Sequence, residues 1–311
     1  MITVEFLSTF LISLFRLSVP ILLAAFGNMY CERAGIMNLG AEGMMISGAF
    51  GAVLGSYYFG NAWVGVLCGI LLGMFIASIH SLISVEFGGI QNISGLGLNT
   101  LAAGISAFFC QSIFGSGLSE SVPSLQTTEF LGAIPVVGKF LRQFSPLLYI
   151  TIAVVIISWF VMKKTVLGTH IVSVGDDPKA AETAGIPVWK LRHVCVSIFC
   201  GGLVGLAGAY LSIGQLSFFM EDMTNGKGML AVIAVKMGGW EPVGIVAVAL
   251  FFGFFDALQT QLQLNNALGI APELIQLLPY VAGLVALAFI SNSDANPKAL
   301  RQPYLKNKYK F

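Results

Sequence analysis

The chain has 311 residues, of which 56% are hydrophobic and only 10% charged, and its mean hydropathy is +0.85. Soluble domains carry about 25% charged residues, so a globular enzyme with a single anchor is excluded and a polytopic integral membrane protein is indicated. The net charge of +1 gives no basic excess of the kind that nucleic acid requires.

A membrane-crossing helix needs roughly 20 apolar residues. In chain order, spans are predicted near 6–30, 40–58, 62–85, 89–113, 146–162, 191–213, 227–240, 242–262 and 272–291, the seventh short enough to be a half-helix. The expected fold is all-α and polytopic, with about nine spans (8–10). The segment before the first apolar run holds Glu5 and no basic residue, unlike a signal peptide, so the first span is expected to stay in the mature protein. Within it, Arg16 precedes Pro20 by four residues and can satisfy carbonyls freed by a proline kink.

Residues 31–45, CERAGIMNLGAEGMM, place Glu32, Arg33, Asn38 and Glu42 between two apolar stretches with only short breaks. Polar groups at membrane depth are costly unless they face protein or a water-filled cavity, and Gly35, Gly40 and Gly43 permit an irregular backbone. Two readings stand. The segment lines a pathway, with Asn38 and Glu42 offering hydrogen bonds to a polar solute, or it is a loop with Glu32 and Arg33 at the interface. Asn92 and Asn99 are seven apart, hence on one helical face. They can line a path or hydrogen-bond a neighbouring helix. The stretch 114–145, with Pro123 and Pro135, reads as a loop.

The polar island at 175–186, GDDPKAAETAGI, reads as a two-turn helix with both ends specified. Asp177 suits the N-cap, Pro178 the first helical position and Gly185 the C-terminal stop, with Pro187 beyond. Gly175 and Asp176 lead into it. Lys179 and Glu182 make it polar, Ala180, Ala181 and Ala184 give it one small face, and Ile186 follows the stop. Such a helix is too short to be stable alone and calls for a docking partner. Further on, 217–229 (SFFMEDMTNGKGM) offers Phe218, Phe219 and Met223 for stacking on a flat ligand; the alternative is a loop with interfacial aromatics. Asp256 lies inside its span, as a pairing or packing residue, and Lys236 is another ionisable group near a span.

Lys163, Lys164, Lys179, Lys190 and Arg192 flank or occupy the island, and Lys298, Arg301, Lys306, Lys308 and Lys310 fill the tail. Both regions are expected to be cytoplasmic, 114–145 outside, and the N-terminus also outside. An internal repeat relates Gly43-Met44, Trp63-Val64-Gly65 and GILLGMFIASI to Gly228-Met229, Pro242-Val243-Gly244 and ALFFGFFDAL, at an offset that drifts from 185 to 180. Five predicted spans separate the copies, so their topology is expected to be inverted, a common transporter architecture. The domain plan is a transmembrane domain at 1–292, with repeat halves about 6–113 and 191–291 and a cytoplasmic loop at 163–190, followed by a basic tail at 293–311. The cysteines (Cys31, Cys68, Cys110, Cys195, Cys200) form no CxxC, and His80, His170 and His193 have no ligand spacing. Neither a metal nor another cofactor is expected. No GxSxG and no phosphate-binding glycine loop with a lysine is present.

ERAGIMNLGAEGMM, GDDPKAAETAGI, MTNGKGMLAVIAVKMGGWEPVG and the LPY at Leu278 to Tyr280 occur in that order, over about residues 15–291. Together they resemble the membrane permeases of bacterial ATP-binding-cassette importers, in the branch of ribose, simple-sugar, branched-chain amino acid and nucleoside permeases. The ERAGIMNLGAEG form is similar to the nucleoside ("simple sugar") subgroup, while Lys236 and Glu241 depart from the usual pattern. The resemblance implies that 175–186 is the coupling helix seated in an ATPase subunit, and that 31–45 and 217–229 border the translocation path. It also implies a separate ATPase, a second permease that is a paralogue, an extracytoplasmic solute-binding protein, and residence in the bacterial inner membrane. The expected function is import of a nucleoside, of the purine kind, by alternating access. A simple-sugar importer permease and a secondary transporter are the alternatives; an intramembrane enzyme lacks paired catalytic groups in the spans.

Overall fold

The computed structural model describes residues 4–128, 141–265, 271–289 and 296–304. Pro135 and Lys139 of the long loop and Lys306, Lys308 and Lys310 of the tail lie outside the described residues. Among the described residues the elements are helical, with one isolated antiparallel bridge between Leu118 and Met220.

Six helices are long and apolar enough to cross a membrane. They are α1 (Val4–Arg33), α3 (Ala62–Glu86, its last turn π-helical), α4 (Gln91–Phe114), α5 (Pro146–Lys164), α8 (Val188–Gln215, with π-helical stretches at Val194–Cys200 and Tyr210–Gln215) and α10 (Pro242–Asn265). The other three expected spans differ. The helix α2 (Ala41–Phe59) has 19 residues, but Glu42, its glycines and its tyrosines dilute its apolarity, and it is enclosed by other helices along most of its length. The helix α9 (Lys227–Met237) has 11 residues, and α12 (Leu278–Phe289) has 12, after a single turn α11 (Pro272–Ile275). At 1.5 Å per residue α9 extends about 16 Å, half a bilayer core. Two shorter helices, α6 (Val166–Asp176) and α7 (Pro178–Thr183), precede α8.

The core sits where α1, α2, α3 and α8 meet. Their approach is set by glycine. A Cβ added to Gly205 of α8 would lie 2.7 Å from the Gly69 carbonyl and 3.1 Å from the Gly73 Cα of α3, and one added to Gly48 of α2 would strike the Gly205 carbonyl. Backbone-to-backbone packing of this kind replaces hydrophobic burial as the cohesive force in lipid.

The chain turns back at both ends of the bundle. Ser56 of α2 donates to the Pro123 carbonyl (2.6 Å), and Leu125 N–H donates to the Ile213 carbonyl (2.7 Å) at the end distant from α7. At the α7 end, residues 297–304 return against the bundle, with Ala299 N–H donating to the Gly175 carbonyl (2.8 Å). The island and the tail therefore share one end.

Gly205→Val should overpack the α3–α8 contact, costing at least the 1–3 kcal/mol typical of such insertions. A fall in the thermal midpoint of the detergent-solubilised chain is the expected readout. Gly97→Val on α4, where an added Cβ meets nothing within 4 Å, should leave that midpoint near the parent value.

Candidate functional site

After α1 ends, Gly35 adopts φ +86° and the chain runs without helical hydrogen bonds through 36–40 before α2 begins. Exposed peptide groups at membrane depth must find partners inside the protein. Here side chains supply them. Met37 N–H donates to Gln91 Oε1 (2.7 Å), and the Met37 carbonyl accepts from His80 Nε2 (3.1 Å), whose Nδ1 lies 3.0 Å from Ser94 Oγ. Asn99 Nδ2 donates to the Leu39 carbonyl (2.8 Å) while its Oδ1 accepts from Gly43 N–H (2.8 Å). Asn38, fully buried, donates to Asn28 Oδ1 (2.7 Å) and accepts from Gly40 N–H (2.9 Å).

Glu42, in the first turn of α2, reaches across to α9. Its carboxylate accepts from Gly226 N–H (2.8 Å), Gly228 N–H (2.7 Å) and Met229 N–H (3.3 Å). These are donors left orphaned at a helix start, and a carboxylate there also complements the helix dipole. The carboxylate thus serves α9 rather than only the helix it belongs to.

The loop before α9 holds Asp222 at φ +59°, Asn225 at +43° and Gly226 at +72°. Asx residues tolerate this region. Phe219 turns into the core, its ring 5.1 Å from that of Phe50, whereas Phe218 and Met223 are half-buried. The two phenylalanines do not present a common face: the chain bends at Phe218, and Phe219 alone is buried. Asn92 and Asn99 share α4, but only Asn99 holds the 36–43 backbone; Asn92 Oδ1 is shielded without a hydrogen-bond partner.

Beside the α9 start is a polar cavity of about 70 Å³, lined by Lys227, Asp256, Gln259, Thr260, Gln276 and Tyr280 among others. Lys227 Nζ is 3.3 Å from Asp256 Oδ2, and both side chains are largely buried. The Tyr280 hydroxyl donates to the Asn225 carbonyl (2.6 Å). Asp256 lies about 21 Å along α10 from Pro242, so the pair sits deep in the bundle, where ionisable residues mark solute or ion pathways. The cavity has room for several waters but falls below the roughly 300 Å³ of a ligand-sized pocket. Asp256, expected to pair or pack, pairs with Lys227, which its sequence position did not indicate, and Gln259 and Gln276 carried no signal. Larger grooves, such as one of 360 Å³ lined by Phe50, Leu72, Phe75 and Phe109, are apolar and suit acyl chains or a neighbouring helix.

At the α7 end the island forms the helix its sequence specifies. Asp177 Oδ1 accepts from Lys179 and Ala180 N–H (both 3.0 Å), and Pro178 opens the helix. Gly185 adopts φ +84°, with its N–H donating to the Glu182 carbonyl and Ile186 N–H to the Ala181 carbonyl (both 3.0 Å), a Schellman closure. The small face divides, however. Ala181 is 4% exposed and packs with Val174 and Val188, while Ala180 and Ala184, four apart and so on one side, are exposed with Lys179, Glu182 and Thr183. Ala181 lies about 100° from Ala180 and about 60° from Ala184 around the helix, so the division follows from how the helix leans on Val174 and Val188. Gly175 packs against Arg33 and Asp176 is exposed. No group of three His, Cys, Asp or Glu that could hold a metal ion occurs among the described residues.

The description of one protein family, branched-chain amino acid transport system / permease component, matches residues 10–287. The chain belongs to that family. Family membership makes it a transporter component rather than an enzyme and, with its six apolar helices, a multi-pass protein of the bacterial inner membrane. It is 37% identical over 307 residues to the guanosine ABC transporter permease protein NupQ of Bacillus subtilis, covering 94% of each chain. It is 34% identical over 314 residues to the putative glucose ABC transporter permease protein TsgC13 of Haloferax volcanii, covering 91% of this chain and 93% of that one. The nucleoside ABC transporter permease protein NupC of Lactococcus lactis is 32% identical over 302 residues, with 94% and 95% covered. The permease family works with ATPase and binding-protein partners, and the matches include other permeases from the same organisms, NupP of Bacillus subtilis and NupB of Lactococcus lactis.

Asp256→Asn should strand the Lys227 ammonium and destabilise the solubilised chain by about 3–5 kcal/mol, whereas Asp256→Asn with Lys227→Met should recover most of that loss. Thermal unfolding of the single and double variants measures it. Glu42→Ala should cost about 1–3 kcal/mol by leaving the α9 donors unpaired, read in the same assay.

Proposed function

We propose that the chain is the permease subunit of an ATP-driven importer and forms the translocation path for a nucleoside, of the purine kind, by alternating access. The observation that carries the coupling is α7. It is a six-residue helix, fully capped, anchored by Ala181 and presenting an exposed polar face, at a length that cannot sustain itself. Such a helix fits a groove on a separate ATPase subunit. The chain itself has no phosphate-binding glycine loop for ATP. The nucleoside class is supported by the Bacillus subtilis and Lactococcus lactis relatives.

On this reading the α7 end is cytoplasmic, in keeping with the Lys and Arg residues gathered there, and the described parts of the 114–145 loop face outward, where a solute-binding protein delivers its cargo. A paralogous permease completes the path. The nine-crossing inverted repeat has geometric support. The copies beginning at Gly43 and Gly228 start beside one another, and α2 and α9 run to opposite ends. Gly73 of α3 packs on α8, and Gly253 of α10 packs on Ser18 of α1, the exchange that a two-fold axis relating α1–α3 to α8–α10 would make. Asn38, Glu42, Asn92 and Asn99 then shape the wall of the path, Phe218 and Met223 border its mouth, and the Lys227–Asp256 cavity lies where α9 begins. Phe219 supports the mouth from inside.

A simple-sugar cargo is the second reading, favoured by the 34% identity to the Haloferax volcanii permease named for glucose. Uptake of labelled guanosine, ribose, glucose and leucine by the complete importer in liposomes separates the two. Guanosine is expected to enter and to be displaced by adenosine more than by either sugar. Carriage of a sugar with no entry or competition by guanosine would overturn the nucleoside assignment.

Gly185→Val should break coupling. A β-branched residue at φ +84° costs about 1–2 kcal/mol, which a two-turn helix does not tolerate. Uptake is expected to fall several-fold with normal membrane insertion, while Gly185→Asn, which tolerates this φ, retains most of it.

A further inference from the structure

The hydrophobic cluster that anchors α7 consists of Val174, Ala181 and Val188, closed by Ile186, Leu191 and Tyr304. Five of the six belong to the stretch that contains α7. Tyr304, from the returning C-terminal segment, is the sixth. That segment is itself fastened at several points. Ala299 is buried and its N–H donates to the Gly175 carbonyl (2.8 Å), Arg301 N–H donates to the Gly35 carbonyl (3.3 Å), and Leu300 packs against the main core. Arg192 of α8, 1% exposed, donates from Nη1 to the Gln302 carbonyl (3.4 Å) and stands 5.8 Å over the Tyr304 ring. Beyond the ring, the Tyr304 hydroxyl donates to a Glu182 carboxylate oxygen of α7.

We infer that residues 297–304 are a strap that positions α7 for its partner, with Tyr304 as the positioning residue. The inference rests on the coupling role given to α7 above. One end of the strap is tied to the turn after α1 and to the entry of α6 into α7. The other end grips α7 through Tyr304. A cation over an aromatic face contributes about 0.5–2 kcal/mol, enough to decide whether a marginal two-turn helix is populated. The Glu182 carboxylate, by accepting the hydroxyl proton, holds the Tyr304 phenol up to about 12. Because the raised value lies above that of a free phenol, about 10, the contact is fully present below pH 10 and is lost only as pH climbs toward 12.

The test uses the complete importer in liposomes, measuring solute moved per ATP hydrolysed, together with hydrogen exchange at the amides of residues 180–185. Tyr304→Ala is expected to lower the transport-to-hydrolysis ratio at least threefold and to speed exchange in α7 tenfold or more, with the spans unaffected. Tyr304→Phe keeps the ring and loses the hydroxyl, so exchange should accelerate about threefold. It also supplies the reading if the alanine variant is not recovered from the membrane. Glu182→Gln, which still accepts from the phenol, should behave like the parent. Unchanged exchange and unchanged coupling in Tyr304→Ala, or unchanged exchange in Tyr304→Phe if that is the variant in hand, would overturn the strap. Ala181→Glu within α7 itself separates the two ideas. If it uncouples transport while the Tyr304 variants do not, the strap fails and the coupling role of α7 stands. If neither uncouples, the coupling role fails as well, and the strap with it.

Discussion

Backbone that leaves the helical state inside a bilayer has no water to satisfy it, and the rest of this structure is arranged around that constraint. Residues 36–40 cross part of the bundle without helical structure, and their peptide groups are met by Gln91, His80 and Asn99 from two other helices. The start of α9 raises the same difficulty, and Glu42 answers it. Because the 36–40 segment hands directly into α2, and α2 carries Glu42 in its first turn, the two solutions are joined. The polar side chains that a membrane protein ordinarily excludes are concentrated here because two helices begin within the bundle instead of at its edges.

On the function proposed above, that arrangement is what lets a path for a polar solute form at this place. A helix that starts at mid-depth leaves unwound chain on one side of itself, and unwound chain brings carbonyls and short polar side chains to a depth otherwise lined with leucine and phenylalanine. The Lys227–Asp256 pair sits beside this break. Its burial stabilises neither partner alone; each ion makes the other tolerable.

The sequence was most legible where the deciding interactions are local. The caps of α7 fall within one turn of the residues they cap, so Asp177, Pro178 and the positive φ of Gly185 followed from residue type and order. Long apolar runs likewise identified the six lipid-crossing helices. What escaped were partners set by tertiary placement. His80 carried no spacing signal, yet it holds the Met37 carbonyl 43 residues away in sequence. Tyr304 lay in a tail that composition marked only as polar and basic. The division of the alanines into one buried and two exposed depended on how α7 leans on Val174 and Val188, which no pattern inside the helix encodes. Glu42 was recognised as unusual, but the N–H groups that donate to it are on a segment 184 to 187 residues further on.

The carboxylate of Glu42 has a mechanical meaning as well. It is one of the points at which the first and second halves of the chain are fastened together, through bonds of 2.7 to 2.8 Å to two amides at the start of α9. Such bonds weaken steeply once stretched or bent, so the α2 and α9 ends can rotate about this carboxylate but cannot slide past it. A displacement that slid the start of α2 past the start of α9 would break these bonds, whereas a tilt about the carboxylate would keep them.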